Sequence, residues 1–296
     1  MAMSRDHPLL PFAAALAGVA LFSLMDALMK GASIAVGAYS ALLLRNLIAL
    51  TLIGPVWLAL GGQWPPRAAM RVHVVRGLVA SAMAFTFFWG LARVPLAEAI
   101  ALSFIAPLIA LYLAALLLGE RVDPRAVGAS LLGIAGVAVI VFGRAGQGGW
   151  NEDAVWGTAS ILVSSLLYAW NLVLQRQQSL LAGPVEVAAF QTGMVAVVLV
   201  LFAPFLFEMP DRASWPEIGG SALLALSAGM LFAWAYARAE AQALVPLEYS
   251  GFLWAALFGW LFFIEGLTLP VLLGAVLIVA GCWIAAPRKR PEQTAA

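Results

Sequence analysis

Glu98 and Glu248 are acids set a few residues inside otherwise apolar runs. A carboxylate in a low-dielectric setting responds strongly to its surroundings, so either acid is suited to take up and release a proton. A helix-end cap, or a contact that snorkels to the interface, is the competing role for both. Tyr249, Ser250 and Trp254 follow Glu248 closely and make it the better candidate. Ser164, Tyr168, Asn171 and Gln175 recur at i, i+4, i+7 and i+11, one face of a helix, and Ser23, Asp26 and Lys30 form an earlier stripe. Polar groups are expensive in a bilayer core, so such a stripe faces a wet cavity or bonds to a neighbouring helix. Its recurrence in both halves of the chain favours the cavity. Asp26 and Lys30, four apart, are expected to neutralise each other, and Arg45 to join a structural ion pair.

Aromatic residues add a second theme. Phe85 and Trp89 stand four apart with Arg93 one turn further on, and Trp234 with Arg238 repeats the arrangement. With Tyr168, Trp170, Tyr249 and Trp254 they suit a flat, polarizable pocket for an aromatic or large apolar side chain, ordinary packing being the alternative. Ser103 and Pro107 lie one turn apart; a proline frees a backbone carbonyl that serves as a ligand or a hinge. The candidate binding set is Phe85, Trp89, Ser103, Tyr168, Asn171, Trp234, Glu248, Tyr249, Ser250 and Trp254, with Glu98 and Glu248 for proton coupling and Pro107 as hinge. No catalytic residue is expected, because the sequence has no phosphate loop, no H-E-x-x-H and no G-x-S-x-G elbow. His7 and His73 alone, with the single Cys282, give neither a metal site nor a disulfide, and no cofactor is expected.

The elements that must position these residues follow from composition. Of the 296 residues 64% are hydrophobic and 10% charged, against about 25% charged in soluble domains, and the apolar content nearly fills ten spans of ~20 residues. A soluble enzyme is excluded. A net charge of +1 without a long basic run leaves no case for nucleic acid. Apolar runs fall near 11–30, 38–60, 72–92, 95–118, 125–143, 154–175, 184–206, 216–238, 243–264 and 268–286. They are expected to be helices, since lipid cannot satisfy an open backbone. Arg5, Arg67, Arg71, Arg121, Arg125, Arg176, Arg238, Arg288, Lys289 and Arg290 fall on one side, against Lys30, Arg93, Arg144 and Arg212 on the other. That bias puts both termini in the cytoplasm.

The chain also repeats itself. A shift of 145 residues pairs Trp89 with Trp234, Arg93 with Arg238, Glu120 with Glu265, Gly136 with Gly281 and Asp26 with Asn171. The organisation expected is a first five-helix repeat over 1–145, a second over 146–290 and a short polar tail, 291–296. Five is odd, so the second copy enters the membrane from the opposite side. Inverted repeats underlie alternating access around a midplane site, which argues for a secondary transporter. The fold class expected is all-α integral membrane: ten transmembrane helices as two five-helix inverted-topology repeats.

The stretch Ala92-Arg93-Val94-Pro95 through Pro107 and Gly119-Glu120, then Gly128, Gly133 and Gly136-Val137, resembles the signature of EamA-type transporters of the drug/metabolite transporter superfamily. Pro246, Glu265-Gly266, Gly274 and Gly281 repeat it more loosely. The glycines are expected to let helices approach closely. Phe252 replaces Pro107 in the second half, so a helix break there can belong to one half only, and Ile264 replaces Gly119. Within the superfamily the chain is most similar to the aromatic amino-acid exporters. That resemblance implies a bacterial inner-membrane protein moving metabolites outward through a cavity lined by spans 1, 3, 4, 6, 8 and 9. The function expected is export of amino acids, aromatic and other large neutral ones preferred. Export of another metabolite or a lipophilic drug is the alternative, and an intramembrane enzyme or scaffold the second. Partners are then the amino-acid substrate and the lipid bilayer; the sequence leaves monomer and homodimer open.

Overall fold

A computed structural model of the chain describes residues 9–118, 124–146, 151–236, 238, 244 and 247–285. Every regular element among the described residues is an α-helix, the one open-ended structure that satisfies its own backbone in lipid. The first half supplies α1 (Leu10–Val36), α2 (Ala38–Ala59), α3 (Arg67–Leu91), α4 (Leu96–Ser103), α5 (Ala106–Leu118) and α6 (Pro124–Gly146). The second supplies α7 (Glu152–Ser179), α8 (Pro184–Leu206), α9 (Trp215–Tyr236), α10 (Gly251–Phe263) and α11 (Leu269–Ala285). α4 and α5 together make the fourth span, and α10 belongs to the ninth. α1, α2, α3, α7 and α8 are each long and apolar enough to cross a membrane without interruption.

α1 runs six residues past its expected end at 30, and on this added stretch Gly31 leaves room for the α9 carboxylate of Glu217, whose Oε2 lies 2.9 Å from where a Cβ would sit. It stops at Gly37, whose φ of 78° is natural only to glycine, and α2 begins at the next residue.

Packing follows the duplication. α1 lies along α9 as α3 lies along α7, and these two pairs are exchanged when the halves are swapped. α2 with α8, and α6 with α11, pair each element with its own counterpart. The last pair shows the 145-residue shift at atomic scale. A Cβ on Gly136 would meet the Gly274 carbonyl at 2.6 Å, and one on Gly281 would meet the Ala129 carbonyl at the same 2.6 Å. Residues 129 and 274, like 136 and 281, are 145 apart, so one contact is the image of the other. Gly133 likewise accommodates Leu108, whereas Gly128 has nothing within 4 Å and permits no close approach.

Both halves interrupt the equivalent span at the equivalent place. α4 ends at Ser103, Phe104 and Ile105 form a turn, and α5 starts one residue before Pro107. Tyr249 and Ser250 form a turn ahead of α10, although Phe252 stands where the proline would be. The break therefore belongs to both halves, correcting the expectation drawn from Phe252. Its cause is tertiary. Phe104 and Tyr249, again 145 apart, meet edge to face with ring centroids 5.3 Å apart and planes at 89°. The loosened carbonyls also find partners: Cys282 donates to Phe104 O at 3.3 Å, and Ser23 to Gly251 O at 3.4 Å.

Candidate functional site

One end of the bundle is laced by an ion pair. Lys30, buried near the end of α1, bonds the Glu265 carboxylate and donates to Val94 O at 2.6 Å. The second oxygen of Glu265 accepts the Leu96 amide at 2.7 Å, tying the start of α4 to the end of α10. Ile264 makes this reach possible. It sits in the left-handed region at φ 56°, where its own N–H bonds Trp260 O at 3.1 Å as in an αL cap, and Glu265 N–H bonds back to Gly259 O at 3.1 Å. Lys30 thus does not pair with Asp26, as their spacing suggested. Asp26 interacts electrostatically with Arg45 of α2, and Arg45 also lies 5.6 Å over the Phe88 ring. The reason is direction: Lys30 is turned toward α4 and α10 while Asp26 faces α2. Glu120, the counterpart of Glu265, lies outside the described residues.

Toward the Leu10 end, a second polar cluster joins α3, α7 and α8. Arg76 is buried, and its guanidinium donates to Asn171 Oδ1 at 3.1 Å, Gln175 Oε1 at 3.1 Å and the Gln178 side-chain oxygen. Gln178 in turn bonds His73 Nδ1, and His73 Nε2 faces Glu186 Oε1 at 3.1 Å. Three of the four stripe residues of α7 are thus bonded to α3, Ser164 donating to Met83 O at 2.9 Å, with Ser160 nearby donating to Thr86 O at 2.7 Å; Tyr168 is the exception. Arg76 stands neither among the loop charges nor in the candidate binding set drawn from the sequence. An arginine inside an apolar span was itself the signal.

Between the clusters lie the expected binding residues that the structure brings together. Tyr168 is within electrostatic reach of Glu248, Arg76 and Asp26, and Tyr249 within reach of Glu248, Tyr168 and Cys282. Tyr168 keeps 37% of its surface exposed midway along a span, and Glu248 and Tyr249 are half-buried. Among the described residues the buried Ser250 hydroxyl has no hydrogen-bond partner, which leaves a donor for a solute. Charged residues of α1, α3 and the ninth span thus act on Tyr168 of α7, which in turn reaches Tyr249 at the second break.

Other candidates lie apart. Trp89 and Trp234 repeat one another closely, each ring covered by the arginine four residues on, Arg93 at 3.5 Å and Arg238 at 4.3 Å from the ring centroid. They stand at opposite ends of the bundle, since Arg93 adjoins Asp153 at the start of α7 whereas Trp234 borders Leu10. Leu10 and Lys30 are about 30 Å apart along α1. A single small solute cannot touch both rings at once. Trp234 lines an open apolar groove of about 640 Å³ with Leu10, Ala13, Ala14, Ser227, Met230 and Leu231. Phe85 packs edge-on to Tyr39, Trp254 stacks on Phe258, and the Ser103 hydroxyl bonds Ala99 O of its own helix at 2.8 Å. Glu98 is buried in the first turn of α4, where the helix dipole favours a carboxylate.

This bundle of inverted halves, with two broken spans around a polar centre, is the architecture of a secondary transporter. The model of the EamA-like transporter family matches residues 10–142 and again 155–286. The chain belongs to that family, and it is a multi-pass membrane transporter and not an enzyme. It is 27% identical over 263 residues to the pseudopaline exporter CntI of Pseudomonas aeruginosa (strain UCBPP-PA14), covering 88% of this chain and 90% of that one. It is 29% identical over 226 residues to a riboflavin transporter of Rhizobium johnstonii, 72% of this chain and 70% of the relative. With the aromatic amino acid exporter YddG of Ancylobacter novellus it shares 29% identity over 156 residues, 51% of each chain. A crystal structure at 22% sequence identity superposes with a TM-score of 0.61 over 92% of this chain and 96% of its own, a likeness of fold.

Proposed function

We propose that the protein exports amino acids, with aromatic and other large neutral side chains preferred, across the bacterial inner membrane, both termini lying in the cytoplasm. The observation that carries this reading is that Tyr249, whose ring meets Phe104 edge to face, is acted on by Glu248 and Tyr168 and precedes a Ser250 hydroxyl that has no hydrogen-bond partner among the described residues. A flat side chain stacks favourably on such rings, and acids and hydroxyls suit an ammonium group. The similarity to an aromatic amino acid exporter points the same way.

Transport then proceeds by exchange of two related states of the halves about a midplane cavity. The ion pair of Lys30 with Glu265 holds one end shut while the other admits the solute. Pro107 and its counterpart at Phe252 follow the breaks about which the fourth and ninth spans bend. A proton carried on Glu98 or Glu248 is one source of driving force, and the solute's own gradient the other.

Counterflow in proteoliposomes tests the reading. Vesicles loaded with unlabelled phenylalanine are expected to accumulate labelled phenylalanine, tryptophan and leucine faster than glycine. Absence of exchange for every amino acid overturns it. The longer match to a pseudopaline exporter supports a second reading, export of a different metabolite, which requires that the same vesicles exchange that metabolite instead.

A further inference from the structure

We infer that Arg76 is the receptor for a solute carboxylate and so restricts the transporter to carboxylate-bearing substrates. The inference rests on the transport reading and adds to it the anionic half of the recognised group.

The argument begins with an imbalance of charge. A guanidinium carries five N–H donors and a full positive charge that it does not give up in a protein. Taking that charge out of water costs several kcal/mol unless an anion meets it. Arg76 is 7% exposed, and the three groups its side chain bonds are all neutral amide oxygens, of Asn171, Gln175 and Gln178. Glu186, the acid joined to this network, stands two side chains away, behind Gln178 and His73. The contrast at the other end of the bundle is sharp. There Lys30, 145 residues before Gln175, bonds its carboxylate directly. Of the three cations inside spans, Lys30 is thus met by Glu265 and Arg45 by Asp26, whereas among the described residues Arg76 bonds amides alone.

Amides do what an anion receptor needs. They fix the plane and direction of the guanidinium without neutralising it, and with three of five N–H groups engaged they leave two for a carboxylate. An arginine presents such pairs in the fork geometry that a carboxylate matches. The neighbour on which Arg76 acts electrostatically is Tyr168, which Glu248 and Asp26 also reach. A cation at one side of Tyr168 and acids near it complement the two charges of a zwitterion, with the exposed phenol ring between them.

Purified protein in detergent provides the test, by quenching of its tryptophan fluorescence with three ligands of one ring size: 3-phenylpropionate, phenylalanine and phenethylamine. The wild type is expected to bind the two carboxylates and to bind the amine more weakly. Gln178→Glu places a carboxylate of the same size where the guanidinium already bonds an oxygen, so the helices stay tied while the charge becomes occupied. This variant is expected to lose about 10-fold or more in affinity for the carboxylates, the worth of one charge-assisted bond, with phenethylamine unchanged. Arg76→Lys, which keeps charge without the fork, is expected to lose carboxylate affinity by a smaller factor. Equal loss for all three ligands in Gln178→Glu, no loss at all, or wild-type binding indifferent to the carboxylate overturns the inference. Carboxylate-selective binding without counterflow leaves Arg76 as assigned and overturns the exporter reading instead; counterflow without that selectivity does the reverse.

Discussion

Ile264 carries a backbone strain that a glycine, the residue type at its sequence counterpart 119, would not bear. A β-branched residue at φ 56° stands where glycine would bear no steric cost, so Ile264→Gly is expected to stabilise the protein by about 1 kcal/mol, read as a raised midpoint of thermal unfolding in detergent. A lowered midpoint would mean that the side chain packs in a way that outweighs the strain. Immediately beside it, Glu265→Gln removes the charge from an acid that accepts both Lys30 and the Leu96 amide. A buried cation left without its partner typically costs 3–5 kcal/mol, so the closed end should loosen. Thiol labelling of a cysteine introduced at Ala97 should accelerate at least several-fold in that variant, and an unchanged rate contradicts the latch. Glu248→Gln tests the driving force: uphill uptake under a pH gradient is expected to be lost, while counterflow, which loses one of its binding groups, is weakened but kept; equal losses of the two would leave this acid a binding role only.

Helix pairs follow from the glycines. Gly136→Leu would push a side chain into the Gly274 carbonyl at 2.6 Å, and Gly281→Leu into the Ala129 carbonyl at the same distance. Each is expected to lower the unfolding midpoint by a similar amount, several degrees for the ~1–3 kcal/mol of overpacking, because the two contacts are images of one another. Unequal effects would contradict the symmetry; Gly128→Leu, facing open space, is the control. These glycines were legible in the sequence because a shift of 145 residues aligns them, as were the spans, because apolar length in lipid admits little else. The second break was not legible. Proline announces a break through its missing N–H, whereas the break at Tyr249–Ser250 depends on a ring 145 residues away. The partners of Lys30 and Arg76 were hidden for the same reason. Spacing along one helix proposes neighbours four residues apart, and the direction of a long side chain is decided by helices the sequence does not align.

For the whole molecule, duplication makes two ends that are related but chemically unlike. At one, a lysine and a glutamate close against the start of α4; at the other, Gln175 occupies the lysine's place and is bonded to Arg76. A transporter built this way holds one end by charge and leaves the other to be completed by its cargo. Closing of one end must accompany opening of the other, which a pair of distances reports. Spin labels at Ala35 and Leu267 span the Lys30 end, and labels at Leu10 and Leu180 span the Leu10 end. Pulsed dipolar spectroscopy of both pairs in lipid, with and without phenylalanine, is the most direct measurement of the central claim. The account predicts that phenylalanine shifts the two distance distributions in opposite senses, one lengthening as the other shortens. Distributions that ignore phenylalanine, or that lengthen together, would contradict it.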